Sequence, residues 1–239
     1  MDTLRERYNV VKLNDWHIPF HDPIAIEAAF SFCERIHPNV IIMDEIHDFY
    51  QLSRFNKDPN RKESLQDELD VASSYLLELR KRCPDSRFIL LASNHLDRLR
   101  KFLWREAAGL ASLRALELKS LLNLDAHNVE FMDVYRERDY LWKHGDIVRK
   151  HSGYTARAEF EREGMSGASG HTHRIGAHYI TRRGGEYMWM ECGCLCSLDA
   201  EYIDGIANWQ QGIGLTSFES DGKHYFATPL PIIDGRIWL

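Results

Sequence analysis

The chain has 239 residues, of which 44% are apolar and 28% charged, and carries a formal net charge of −6. That length and apolar content suit one globular domain with a substantial core. The acidic balance excludes a basic nucleic-acid-coating protein, and no apolar run approaches the roughly 18 residues of a transmembrane helix.

The segment MDTLRERYNV at the amino end lacks the apolar stretch of a signal peptide, so the expected location is the cytoplasm. Residues 9–15 (NVVKLND) read as a short buried strand ending in Asp15. Asp22 followed by Pro23 is a helix start, because Asp caps free N–H groups and Pro suits the first helical position. The helix runs through IAIEAAFSFCERI and breaks at HPNV. Residues 39–45 (NVIIMDE) form a second strand, whose continuous apolar run suits burial on both faces. A polar loop follows, then the clearest helix: Ser64 caps it, and Leu65, Leu69, Ala72, Leu76 and Leu79 recur at helical spacing.

Residues 87–94 (RFILLASN) are a third buried strand, with a helix expected from about His95 to Arg105. The leucine-rich stretch that follows extends this connection as a helical insertion over about 107–127. It suits packing on the core, a lid, or the contact surface of a homo-oligomer. NVEFMD and DYLWKHGD read as strands and TARAEFERE as a helix, and two hairpins close the chain around the turns GG and DG. Without a Pro/Gly/Ser linker or repeat, residues 1–239 read as a single domain, β-α-β-α-β first and strand-rich afterwards.

The five cysteines, an odd number, argue for free thiols rather than a disulfide framework. In CGCLC the C-x2-C spacing of zinc sites is missing, and strand-like alternation puts Cys192, Cys194 and Cys196 on one face as buried thiols.

Chemistry collects at the strand ends, where open α/β sheets build their sites. Asp15 and His17 follow the first strand, and Asp44, Glu45, His47 and Asp48 the second. Asn94 and His95 follow the third, His144 a later one, and His171 and His173 stand one residue apart behind Gly170. Each alone is an ordinary cap, turn or surface residue. Five strand ends in order, each bearing oxygen or imidazole donors, point instead to one metal centre.

This ordered set resembles the calcineurin-like metallophosphoesterases, whose pattern is D-x-H, G-D-x-x-D, G-N-H-[DE], a lone His and G-H-x-H. The matching segments are Asp15-Trp16-His17, Asp44-Glu45-Ile46-His47-Asp48, Ser93-Asn94-His95-Leu96, His144, and Gly170-His171-Thr172-His173, within about residues 9–176. The wording around the motifs is similar to phage and bacterial members; for a phage-encoded chain the expected cytoplasm would be the host's.

The resemblance implies an α/β fold, a two-sheet β-sandwich flanked by helices in four α/β/β/α layers. It also implies two divalent metal ions. Asp15, His17 and His173 would hold one, Asn94, His144 and His171 the other, and Glu45 would bridge both. His95 would act as general acid or phosphoryl donor, with Asp48 supporting the ligands. Imidazole and carboxylate suit Mn, Fe, Zn, Ni or Co without choosing among them; Mn is favoured here. A pair of ions about 3.5–4 Å apart can clamp a phosphate and activate a bridging water. That reconciles an acidic protein with an anionic substrate. Arg98, Arg149 and Arg174 lie near predicted ligands, and arginine forks match phosphate oxygens.

The expected activity is hydrolysis of phosphodiesters, of nucleic acid or nucleotide type, by a metal-bridging hydroxide, with no membrane partner. Alternatives are a phosphomonoesterase and a weakened or non-catalytic metal-binding module. The departures that favour weakening are Glu45 for the usual Asp, Asp44 and Ser93 for glycines, and Leu96 for an acid. Glu45, a methylene longer than Asp, would bridge with its backbone set slightly further back; Asp44 is the alternative, but the spacing to Asp48 favours Glu45.

Overall fold

The computed structural model describes residues 7–200 and 205–238. Most of the MDTLRERYNV segment lies outside them. Strand β1 (Tyr8–Leu13) leads to helix α1 (Pro23–Ile36), β2 (Val40–Asp44), α2 (Leu65–Arg82), β3 (Arg87–Leu91), α3 (Asp97–Glu106), the single turn α4 (Leu118–Leu121) and β4 (Val129–Met132). Then come β5 (Tyr135–Glu137), β6 (Tyr140–Trp142), α5 (Tyr154–Glu163) and β7 (Ser166–Ser169). The hairpin β8 (Ile175–Arg182) and β9 (Gly185–Cys192) is followed by β10 (Gly212–Phe218), β11 (Tyr225–Ile233) and β12 (Arg236–Ile237).

Two mixed sheets result. One has the order β12-β11-β10-β1-β2-β3-β4, the other β5-β6-β7-β9-β8. In the first, β1 to β4 run parallel, with Val10 opposite Val40 and Ile41 opposite Phe88. In the second, β6, β7 and β9 run parallel. Alternation along the strands sorts the core. Val11, Leu13, Ile41, Met43, Phe88 and Leu90 pack under α1 and α2. Val10, Val40, Ile42, Ile89 and Leu91 face Tyr140, Trp142 and Met190 of the other sheet. Phe160 and Ala156 of α5 cover the outer face of the second sheet on Leu141 and Trp189. The layers are therefore helix, sheet, sheet, helix, as expected for the α/β class.

The helix caps follow the sequence. Asp22 Oδ1 accepts from the N–H groups of Ile24 (2.8 Å) and Ala25 (3.2 Å). Ser64 and Asp67 form a reciprocal capping box. Two expectations are corrected. The 107–127 stretch is no continuous helix; it holds short 3-10 turns at Ala108–Leu110 and Arg114–Leu116 and the one turn α4. Its leucines at 110, 113, 116, 118 and 121 drift around a helix rather than holding one face, so no single docked side could bury them. Leu122 and Leu124 pack into the core while Leu110 and Leu113 stay exposed. The strand expected through CGCLC stops at Cys192, because Gly193 turns the chain at φ +79°. Cys192 stays between the sheets, and Cys194 and Cys196 swing toward His173. All five cysteines are free and buried. No helix among the described residues is long and apolar enough to cross a membrane.

Candidate metal centre

The carboxyl ends of β1, β2, β3, β6 and β7 meet at one edge of the sandwich, and every residue read from the sequence as a ligand comes with them. Asp15, His17, Glu45 and His173 form one group whose donor atoms all lie within 4.8 Å of one another. Glu45, His144 and His171 form a second. Asn94 joins the second group, its Oδ1 standing 2.8 Å from His144 Nε2. Glu45 alone belongs to both groups. Its Oε2 is 3.6 Å from His17 Nε2 and 3.1 Å from His144 Nε2. Asp44 points the other way, into the layer between the sheets, as its place at the end of β2 dictates.

The backbone at these positions is unusual. Asp15, His17, Glu45, His171 and His173 all adopt φ between 45° and 68°. Side chains avoid this left-handed region, and each non-glycine residue held there costs on the order of 1 kcal/mol. In each case the tight turn folds the donor back over its strand end. Gly170 serves the same crowding. A methyl group there would sit on the Asp15 carboxylate, whose oxygens accept from His171 N–H at 3.1 and 3.0 Å.

Charges are matched within the cluster. Burial pushes the Asp15 carboxyl up, but the His173, His144 and His17 imidazoles outweigh it and hold it well below the usual range. Burial likewise opposes charge on Glu45, yet His144, His95 and His17 bring it down to about 2. Conversely, burial lowers His144 while Glu45 and Asp44 raise it well above its ordinary value. His173 is pushed up to about 9, Asp15 overcoming its burial. Burial pushes His95 and His171 down.

Where protons balance buried carboxylates, divalent cations can take their place. Ring nitrogens also converge without room for a hydrogen on both: His17 Nε2 to His173 Nε2 at 2.9 Å, and His144 Nε2 to His171 Nδ1 at 3.2 Å. The donor set fits metal ions on both counts.

Asp48 supports the centre. Its Oδ2 is 3.1 Å from His17 Nδ1 and 3.0 Å from His95 Nδ1. Arg98 Nη1 donates to Asp48 O at 2.8 Å and to Oδ1 at 2.6 Å, and Arg98 Nη2 donates to His95 Nε2 at 2.7 Å. His95 N–H donates to Glu45 Oε1 at 3.0 Å. Arg98 lines the pocket over the centre, but Arg149 and Arg174 do not: Arg149 is exposed, and Arg174 is buried elsewhere.

The pocket has a volume of about 540 Å³, and its aromatic lining is Tyr50, Phe55 and Trp209, the last with its ring 4.2 Å from that of His173. Sequence reading missed these three: Tyr50 opens a single 3-10 turn, and Phe55 and Trp209 sit in loops without periodicity. It also missed Lys12, whose signal was a charge inside the apolar run VVKL. A further donor group, His173 with Cys194 and Cys196, lies behind the first, Cys196 Sγ being 3.8 Å from His173 Nδ1.

No family model matches the chain. It is similar to the Gene 54 protein of Mycobacterium phage D29, at 27% identity over 243 residues that cover 95% of this chain and 94% of that protein. Among solved structures it resembles vacuolar protein sorting 29 from Cryptosporidium parvum, at a TM-score of 0.50 and 11% identity, covering 97% of this chain and 94% of that one. At that identity the likeness is one of fold alone, two β-sheets flanked by helices.

Proposed function

We propose that the chain is a metal-dependent phosphoesterase acting on phosphodiesters, with nucleotide or nucleic-acid substrates as the leading class. The observation that carries this reading is Glu45, a single carboxylate shared by two donor groups at the floor of an open pocket. Asp15, His17, Glu45 and His173 would hold one divalent ion; Glu45, Asn94, His144 and His171 would hold the other. Such ions supply charge to a phosphoryl group and Lewis acidity toward water. The chain's own groups bind and orient. Arg98 is assigned to a phosphoryl oxygen, the planar fork suiting that geometry. His95 is assigned to the leaving oxygen. The two must part to act, since Arg98 Nη2 now donates to His95 Nε2. Asp48 holds both His17 and His95 in orientation, and Tyr50, Phe55 and Trp209 offer apolar surface to the organic part of the ester. No serine or cysteine belongs to the donor set assigned to the two ions, Ser53 lining the pocket outside that set, so no covalent enzyme intermediate is assigned. The location assigned is the cytoplasm.

The test pairs metal analysis with turnover of bis-p-nitrophenyl phosphate and p-nitrophenyl phosphate in Mn2+. Two bound ions and hydrolysis of the diester are expected. Preference for the monoester would replace diesterase by phosphatase, and bound metal without turnover of either would favour a metal-binding module. The Glu45, Asp44, Ser93 and Leu96 departures are the features that keep that last reading open.

A further inference from the structure

Lys12 lies wholly buried in the layer between the sheets, on the same face of β1 as Val10. Its Nζ pairs with Asp44 Oδ2, and neither side chain touches solvent. Burying an ion pair is a poor way to gain stability; an apolar pair of the same size does as well or better. A pair kept here therefore calls for another role, and Asp44 shows one.

Its other oxygen, Oδ1, accepts from Asp15 N–H at 3.2 Å. The same oxygen lies 3.5 Å from His144 Nδ1, nearer than the 3.9 Å to Asp15 Oδ1. His144 Nδ1 is buried and makes no hydrogen bond of its own. Its ring thus has Nε2 among Asn94, Glu45 and His171, and Nδ1 facing Asp44. An imidazole that binds a metal through one nitrogen must carry its proton on the other, and a carboxylate behind it fixes that tautomer and the ring's orientation.

We propose that Lys12 and Asp44 form a positioning pair behind the metal centre: Asp44 holds the His144 Nδ1–H and the Asp15 backbone, and Lys12 balances and anchors Asp44. This rests on the metal reading above and assigns a role to the acid that stands where the resembling motif has glycine. The pair does not touch substrate; it acts through His144 and Asp15.

The experiment is a Mn2+ titration followed by electron paramagnetic resonance on wild type and two charge-neutral doubles, Lys12→Met/Asp44→Ala and Lys12→Met/Asp44→Asn. The first removes the acceptor and should weaken the more affected ion by roughly 10–100-fold, the usual loss for such supporting groups. The second keeps an amide oxygen for the imidazole N–H and should stay within about 3-fold of wild type, a rescue that lost packing alone does not give.

Leu79→Ala in the α2 core is the control, expected to lower the urea midpoint and leave Mn2+ affinity unchanged. Wild-type affinity in Lys12→Met/Asp44→Ala would overturn the pairing and leave the metal centre standing. Wild type taking up no Mn2+ would overturn the metal reading itself. Should that double not fold, histidine-ring 15N spectra of the zinc-loaded wild type decide. A His144 Nδ1 proton at low field and slow to exchange, as a hydrogen bond to a buried carboxylate makes it, supports the pairing; a Nδ1 proton without that signature, or a proton on Nε2, ends it.

Discussion

Glu68→Gln should make the protein's stability nearly independent of this side chain's charge at alkaline pH, and the size of the effect comes from its surroundings. Glu68 projects from α2 beneath the loop that carries Asp48 and is 2% exposed. Its Oε1 accepts from Phe49 N–H at 2.6 Å, and Phe49 holds φ 53° in that loop. The nearest histidine, His47, is 3.8 Å away, and burial pushes it down to about 3, so it stays neutral. Burial, with Asp48 nearby, therefore raises Glu68 from 4.5 to about 8.

The folded chain keeps its proton up to about pH 8, while the unfolded chain releases it near 4.5. Stability from this group is thus complete below pH 4.5 and lost as pH rises toward 8. Each pH unit in that window removes about 1.4 kcal/mol, so the full loss is at most about 5 kcal/mol, and local relaxation makes about 2–5 the expected range. Glutamine keeps an oxygen for Phe49 N–H and cannot ionise. Urea melts in chelator should place variant and wild type within about 1 kcal/mol at pH 4.5, with the variant ahead by about 2–5 kcal/mol at pH 9. An equal gap at both pH values would refute the argument that an ionising buried carboxyl lies under the loop.

Other expectations bear on the centre itself. His171→Ala should lower the bound-metal count from two to one and reduce diester turnover by more than about 100-fold, a first-contact ligand exceeding the loss typical of supporting groups; unchanged turnover would remove His171 from the ligand set. Glu45→Asp should retain metal and turnover while Glu45→Ala loses both, and Asp44→Ala proving more damaging than Glu45→Ala would move the bridge to Asp44. Gly170→Ala should push the Asp15 carboxylate aside and abolish the rise in melting temperature that Mn2+ gives wild type, read by thermal melts with and without the ion. For a wild type holding an ion at a hundred times its dissociation constant, that rise corresponds to about 2.7 kcal/mol, or roughly 5–10 °C for a chain of this size.

The sheets and the donor residues were legible because they are coupled. A buried parallel strand is a short apolar run, and the residues just after it lie at the sheet's carboxyl edge whatever the loop does. Motif spacing favoured Glu45 over Asp44, since Glu45 and Asp48 stand as the two acids of D-x-x-D, and the choice has a second, structural basis. It turns on alternation carried one residue further: Asp44 shares the inter-sheet face with Val40 and Ile42, and Glu45 is the first residue bent out of the sheet. Lys12 yields to the same count, because in VVKL it must face the other sheet and needs an acid there. The 107–127 segment misled because its leucine content suits a helix while its leucine spacing does not, and only partners decide which matters. The aromatic wall had no signal at all: Tyr50, Phe55 and Trp209 converge through loops whose paths are set by tertiary contacts.

Strain and charge at the edge of the sandwich point the same way. Five candidate ligand residues hold left-handed backbone, and several carboxylates and imidazoles are withdrawn from water close to one another. Packing alone selects against both, since each is relieved by an ordinary turn and an apolar side chain. The acids hold charge only because imidazoles carry protons beside them, an arrangement that ties up the donors a phosphate would need. Replacing those protons by divalent ions leaves every carboxylate compensated, frees the ring nitrogens from mutual contact, and turns an acidic hollow into one that attracts an anion. On the proposed reading, the same substitution would let a chain of net charge −6 hold a phosphoester without a basic surface: the positive charge would be concentrated where Glu45 joins the two donor groups, with Arg98 at the pocket wall beside it.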